Sequence, residues 1–356
     1  MDDHDLEHHG DRDVAPGLVD LAVNVAADGP PAWLLQVLTD SLTRLDRYPD
    51  PRATTASVAA AHGVDAAGAL PTAGAAEAFT LIARARPWRR PVVVHPQFTE
   101  PEAALRAAGH RPDRVLLRAV DGFVLDPAGV DPRSDLVMIG NPTNPTSVLH
   151  PRIMITALLR PGRVVVVDEA FLDAVPGEPE TMISAAAPGS GLVVIRSLTK
   201  TWAIPGIRAG YVVGDPGVLA DLSTHQPPWS VSTPALAAIT AGVSERARRE
   251  AYAYGERVGQ NRTRLVQTLA RVGLRVAGEP RGPYVLVDTA GWLADPRPDA
   301  VRRRLIEHGF AVRRGETFPG LGPSWIRMAV RDPETTAALG EALQTIRDEA
   351  VDDLRG

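Results

Sequence analysis

The chain has 356 residues, 44% of them hydrophobic, a formal net charge of -5 and no cysteine, which suits two domains, or one large domain with a smaller companion, and ample surface to bury. Mild acidity gives no footprint for nucleic acid, and zero cysteines exclude disulfides and thiolate metal sites. No apolar run approaches the roughly 20 residues that span a bilayer, and the acidic start, Met1-Asp2-Asp3-His4-Asp5, lacks a signal peptide's apolar segment, so a cytoplasmic location is expected.

Residues 1–31 are polar, briefly apolar over 18–25, and close at Gly29-Pro30-Pro31; they read as an arm. From there to Gly214 short β-branched runs recur: Val92-Val93-Val94, Val115-Leu116-Leu117, Leu136-Val137-Met138-Ile139, the four valines of 164–167, Val193-Val194-Ile195 and Tyr211-Val212-Val213. Stretches of helical character, such as 75–85 and 102–108, lie between them. Continuous apolar strands separated by helices predict an α/β fold, a mostly parallel sheet sandwiched by helices. In such sheets ligands bind beyond the carboxyl ends of the strands. The proline-rich stretch 226–234 breaks the pattern. A long helix is predicted over 235–272, then a strand over 284–287 and a helix over 300–308 with Arg302 to Arg304 facing solvent. Asp332 as N-cap and Pro333 at the first helical position open the last helix. The division is an arm over 1–31 that packs with the small domain, a large domain over 32–230 and a small α+β domain over 231–356.

Lys200 is the only lysine among 38 basic residues. Arginine stays protonated at any working pH, whereas a desolvated lysine amine can attack a carbonyl and form a Schiff base. Four constellations fall at predicted strand ends or helix starts: Ser197-Leu198-Thr199-Lys200 with the following Arg208, Asp168-Glu169-Ala170-Phe171, Asn141-Pro142-Thr143-Asn144-Pro145, and Thr72-Ala73-Gly74-Ala75-Ala76-Glu77. Each alone is weak. Ser-x-x-Lys also marks serine β-lactamases, but those need a second lysine motif, and none remains. Asp168 alone could cap a helix, and Asn-Pro pairs usually mark turns. Together and in this order they supply what pyridoxal phosphate requires. Lys200 offers an amine to the aldehyde, and Asp168 a carboxylate that keeps the ring nitrogen protonated. The backbone N–H groups of Ala75 and Ala76 at a helix start suit a phosphate, with Ser197 and Arg208 completing its site, and Asn144 donates to the ring oxygen.

This set resembles the fold-type I pyridoxal-phosphate enzymes of aminotransferase class I/II, over nearly the whole chain from His9-Gly10 to Arg331. The resemblance implies the roles just given for Lys200, Asp168, Asn144, Ser197, Arg208 and the loop Gly74, Ala75 and Ala76. It further implies that Phe98, in Pro96-Gln97-Phe98, stacks on the cofactor ring. Tyr48, in Arg47-Tyr48-Pro49-Asp50-Pro51, would reach the cofactor phosphate of a partner subunit, making a homodimer; on its own it reads equally as a surface turn. Two branches look similar, histidinol-phosphate aminotransferase and threonine-phosphate decarboxylase of cobalamin synthesis, and both bind a small phosphorylated amine or amino acid. Phe171 stands where the aminotransferases usually place a tyrosine that bonds the cofactor. Phe171, the run Lys200-Thr201-Trp202-Ala203-Ile204-Pro205-Gly206, Pro228-Trp229-Ser230-Val231 and the opening His9-Gly10 lean toward the decarboxylase, acting on L-threonine O-3-phosphate. Arg327 is expected to hold a substrate carboxylate and Arg313 a substrate phosphate, although Arg313 beside Arg314 also reads as a solvated basic pair. His9 and Asn24 are the arm's expected substrate contacts, but Val25-Ala26-Ala27-Asp28 departs from the Asn-Pro-rich turn of both branches. Alternatives are an aminotransferase acting on histidinol phosphate or a similar substrate, a non-catalytic pyridoxal-phosphate-binding protein such as a regulator's sensor half, and a scaffold without cofactor. Thirty polar residues cannot supply the DNA-binding domain such a regulator carries.

Overall fold

The computed structural model describes residues 5–353; Met1 to His4, which carry most of the acidic start, lie outside them. In chain order the elements are β1 (Val19–Leu21), α1 (Ala32–Ser41), α2 (Arg52–His62), β2 (Ala69–Thr72), α3 (Gly74–Ala85), β3 (Pro91–His95), α4 (Glu100–Ala107), β4 (Asp113–Leu116), β5 (Leu136–Gly140), α5 (Arg152–Thr156), β6 (Val164–Asp168), β7 (Leu192–Ser197), β8 (Gly210–Gly214), α6 (Pro216–His225), α7 (Thr233–Gly242), α8 (Glu245–Arg271), β9 (Tyr284–Asp288), α9 (Ala300–Glu307), β10 (Phe310–Arg314), β11 (Trp325–Ala329) and α10 (Pro333–Asp353).

Seven strands form the large sheet in the order β2-β8-β7-β6-β5-β3-β4. The strands from β4 across to β7 run parallel, β8 runs against them, and β2 at the edge, antiparallel to β8, runs with them again. Successive side chains of a strand point to opposite faces, which explains the unbroken valine runs. Val165 and Val167 enter a core with Leu34 and Leu38 of α1, Val58 of α2 and Ile239 of α7. Val164 and Val166 enter another with Phe79 and Ile82 of α3, Leu105 of α4 and Leu222 of α6. Each fully buried valine contributes about 1.5–3 kcal/mol. The expected α/β sandwich is therefore present.

The second sheet has the order β1-β10-β11-β9, so the arm supplies its edge strand, parallel to β10. Val285, Val287, Ile326 and Met328 pack under Leu265 and Leu269 of α8 and Leu339, Leu343 and Ile346 of α10. The other face turns Tyr284, Leu286 and Arg327 away from those helices.

Two local readings are corrected. The helix expected over 235–272 is two, because Ser244 caps a new one by accepting the Ala247 N–H at 3.2 Å. Its start, at Ala247, belongs to the core of the large sheet, and Leu265 and Leu269 to that of the small sheet. Arg302 to Arg304 do not all face solvent: Arg303 is exposed, whereas Arg302 and Arg304 are half-buried beside Asp299 and Glu349. Asp332 does cap the last helix, accepting the Thr335 N–H at 2.8 Å.

Candidate active site

Asp168 ends β6 and Ser197 ends β7, and both continue the face that carries Val166 and Ile195. Lys200 lies in the turn just beyond β7, half-buried, and its carbonyl accepts the N–H of Ala26 at 3.0 Å, which ties the arm to the lysine. Burial, then the charges of Arg327 and Arg208, bring the Lys200 amine down to about 8, against the opposing pull of Asp168 and Asp11. Burial pushes the Asp168 carboxyl up to about 6, while the Ala170 N–H at 3.0 Å and the Lys200 charge favour its ionised form. Amine and carboxyl thus sense one another across the strand ends.

Helix α3 begins at Gly74, with φ of +77°, after an N-cap residue, Ala73, that offers no side-chain oxygen. The first N–H groups of a helix lack internal partners. A Cβ on Gly74 would stand 2.8 Å from Arg208 Nη2, and one on Gly210 2.9 Å from the Gly74 Cα. Glycine at both positions therefore lets the helix start close on Arg208 and on the end of β7. Ser197 Oγ shares a hydrogen bond of 2.9 Å with Thr199 Oγ1. Thr72, paired with Gly210 across the sheet, buries a hydroxyl that has no partner among the described residues. Arg208 is exposed, reaches Gly74 and donates to the Pro205 carbonyl at 2.9 Å, and Ser197 pairs with Gly210 across the sheet; Thr72 and Thr199 are neighbours that the sequence reading did not select.

Phe98 packs against His9, 5.7 Å between ring centroids, and His9 pairs with Glu100 at 2.8 Å. Arg327 donates to Asn144 Oδ1 at 2.5 Å and to the carbonyl of Ala22. It is 4% exposed and has no ion pair among the described residues, and burial brings it down to about 9. Arg313 sits directly opposite Arg327 in register. It is buried rather than half of a solvated pair, donating to Asp13 at 3.1 Å and to the His8 carbonyl at 2.6 Å. Asn24 is buried with neither amide atom hydrogen-bonded. Phe171 meets Tyr284 edge-on at 5.0 Å. Tyr48 is 73% exposed and stacks on Trp229 at 4.3 Å, on the surface of this chain. Arg331 clamps the arm, donating to the carbonyls of Asp20 at 2.9 Å, Val23 at 2.7 Å and Val25 at 3.3 Å. Neither that clamp nor Asp13 is visible from sequence spacing.

A buried polar group without a partner costs about 1–3 kcal/mol, so such groups are rare unless something fills them. Here Asn24, Thr72, Tyr284 and Arg327 Nε all lack partners among the described residues. With a half-buried amine, a buried carboxyl within reach of its charge and a helix start lined by glycine and arginine, the donor set fits pyridoxal phosphate. Lys200 would take its aldehyde, Asp168 its ring nitrogen, and Ala75, Ala76, Ser197 and Arg208 its phosphate. No described helix is long and apolar enough to cross a membrane, and no described cluster of side chains could hold a metal ion.

The family model described as aminotransferase class I and II matches residues 16–344. A protein of Mycobacterium tuberculosis named histidinol-phosphate aminotransferase is 45% identical, covering 94% of this chain and 90% of its own length. Threonine-phosphate decarboxylase of Salmonella typhimurium is 31% identical over 92% of this chain and 91% of its own. Histidinol-phosphate aminotransferase of Sinorhizobium meliloti, solved in complex with pyridoxal-5'-phosphate, superposes with a TM-score of 0.81 at 19% identity, covering 93% of this chain and 91% of that one. The lysine, aspartate and arginines gathered at the strand ends lie within the matched span, and the chain belongs to the aminotransferase class I and II family.

Proposed function

We propose that the protein is a pyridoxal-phosphate-dependent lyase that removes CO₂ from L-threonine O-3-phosphate, leaving aminopropanol phosphate. The observation that carries this reading is the pairing of Arg313 with Arg327 across β10 and β11, both buried. Residues directly opposite on antiparallel strands have Cα atoms about 4.5–5.5 Å apart. Such a pair suits one small substrate that bears two anions a few bonds apart. A guanidinium fork can hold a carboxylate or a phosphate with two parallel bonds. Arg327, with no counter-charge of its own among the described residues, takes the carboxylate; Arg313, already bonded to Asp13, keeps further N–H groups for the phosphate.

Bound pyridoxal phosphate would supply an electron sink for the pair left on the substrate α-carbon. The remaining work falls to this chain. Asp168, ionised at neutral pH because its carboxyl titrates at about 6, holds a proton on the ring nitrogen. Arg327 fixes the carboxylate, and so decides which α-carbon bond stands across the ring plane. Lys200, titrating at about 8, is available near neutral pH both to accept and to donate a proton, and returns one to the α-carbon after CO₂ leaves. The surrounding buried aromatics, Phe171 and Tyr284, exclude water. Exposed Tyr48 is assigned to the cofactor phosphate of a partner subunit in a cytoplasmic homodimer, and the product to cobalamin synthesis.

A second reading, amino transfer from histidinol phosphate, is favoured by the name of the relative at 45% identity. That substrate carries a phosphate and no carboxylate, which leaves Arg327 to a second substrate. Incubating the holoenzyme with L-threonine O-3-phosphate and measuring CO₂ separates the two. No CO₂, together with oxo-acid-dependent amino transfer from histidinol phosphate, would reject the decarboxylase.

A further inference from the structure

Tyr284 opens β9 and occupies the same face of the small sheet as Arg327. The register pairs Leu286 with Arg327 and Tyr284 with Ala329, so the two are neighbours on a diagonal. The Arg327 guanidinium carbon lies 5.4 Å from the centroid of the Tyr284 ring, over its face. Phe171, three residues beyond Asp168, meets the same ring edge-on at 5.0 Å. The carbon that bears the hydroxyl lies beside Gly282, where Ser147 and Pro142 also converge, so the tip of the phenol reaches the loop that carries Asn144. The side chain is fully buried, yet its hydroxyl has no hydrogen-bond partner among the described residues.

A phenylalanine would fill the same volume without burying an unsatisfied hydroxyl. The cation stacked on the ring is partly in the same condition: Arg327 has a partnerless Nε and no ion pair among the described residues, the nearby Asp13 being paired with Arg313. A partnerless hydroxyl and a partnerless Nε on two stacked side chains call for a group rich in lone pairs, and an ionised carboxylate accepts about four hydrogen bonds. Burial holds the phenol far above its ordinary value, so it remains a neutral donor at any working pH.

We infer that Tyr284 is a specificity-determining residue of the carboxylate subsite: its ring carries Arg327, and its hydroxyl donates to the ligand carboxylate. The inference rests on the reading of Arg327 as the carboxylate holder, and deepens it. Arg327 is held by a π face and by neutral oxygens instead of by an acid, so its charge stays available. The phenol adds a second donor that a ligand without a carboxylate cannot use.

The test is calorimetric titration of the holoenzyme and its variants with glutarate, an unreactive dicarboxylate, and with inorganic phosphate. Tyr284→Phe keeps the ring and deletes the hydroxyl. Its melting temperature should equal or exceed that of the unaltered protein, its glutarate Kd should weaken about tenfold, and its phosphate Kd should stay within about twofold. Tyr284→Leu removes the ring as well and should lose more glutarate affinity. Unchanged glutarate binding in Tyr284→Phe would overturn the inference, as would an equal loss for both anions or a failure of the unaltered protein to bind glutarate. Turnover does not enter this measurement. A missing CO₂ signal from threonine phosphate would therefore sink the decarboxylase and leave Tyr284 standing.

Discussion

Asp168 and Ser197 close β6 and β7 on one face of the large sheet, while Glu169 and Arg196, each one residue away, turn to the opposite face. On that opposite face Arg196 is ringed by Glu169 at 3.1 Å, Asp173 at 2.9 Å and Glu178. Glu169 also accepts from the Thr181 hydroxyl at 2.9 Å and the Met182 N–H at 2.6 Å. Three carboxyls around one guanidinium exceed its charge, and burial pushes both Glu169 and Asp173 up to about 7, so protonation reduces the excess. On the site face the imbalance runs the other way. Lys200, Arg208 and Arg327 outnumber Asp168, and several donors have no acceptor. Charges paired within a buried cluster stiffen a scaffold, whereas a surplus of cations beside one carboxyl suits an anionic ligand.

The largest expected effect is on the site face. Lys200→Ala should lower turnover by roughly 10³-fold or more, the scale of deleting a reacting group, and borohydride should no longer fix cofactor mass to the chain. Its fold should persist. Arg196→Met attacks the ion-paired face instead: removing one partner from a buried ion cluster costs about 3–5 kcal/mol, seen as a collapse of the melting temperature or of soluble yield. If Arg196→Met melts like the unaltered protein, the contrast between the two faces fails.

Asp168→Asn sharpens the same contrast. The Asp168 carboxyl titrates at about 6 in the fold, above its usual 3.8. The folded state therefore binds the extra proton between those values, and stability from this group is lost as pH rises through 6. In cofactor-free protein Asp168→Asn should remove that decline and raise the melting temperature above pH 6, while turnover falls about a hundredfold. A variant that melts lower at pH 8 would show that the carboxylate stabilises the empty site. The smallest effect is expected from Gly74→Ala. It forces a side chain into positive φ and to within 2.8 Å of Arg208 Nη2, the movable end of a side chain. Stability should drop by about 1–2 kcal/mol, and cofactor affinity, measured by equilibrium dialysis, should fall several-fold.

Most of the large sheet was legible because the central parallel strands β3, β5, β6 and β7 are buried on both faces and so write unbroken apolar runs. Strands β1, β2 and β10 were not, since Val19-Asp20-Leu21 and Ala69-Leu70-Pro71-Thr72 are short edge strands, and Phe310-Ala311-Val312-Arg313-Arg314 ends in charges. The candidate site was legible where it consists of local motifs at strand ends: Lys200, Asp168, Asn144, Ser197, Arg208 and the Gly74 turn. It was opaque where it depends on the arm. The bonds from Arg313 to Asp13 and from Arg331 to Val23 each span some three hundred positions, and no spacing encodes them. Tyr284 looked like an ordinary strand residue because only tertiary packing sets it beneath a guanidinium. The expected solvent exposure of Arg304 failed for a related reason, since its acceptor Glu349 comes from a different helix, whereas Arg302 pairs locally with the helix cap Asp299.

The solitary amine in the cleft has a spectroscopic consequence. Growth on lysine enriched in nitrogen-15 at the ζ position would install a single nuclear spin label per chain, located at Lys200 and nowhere else. One resonance, with no assignment problem, would then follow the charge state of that nitrogen through a titration. Its midpoint should fall near 8 in the empty protein, well below the 10.5 of an ordinary lysine.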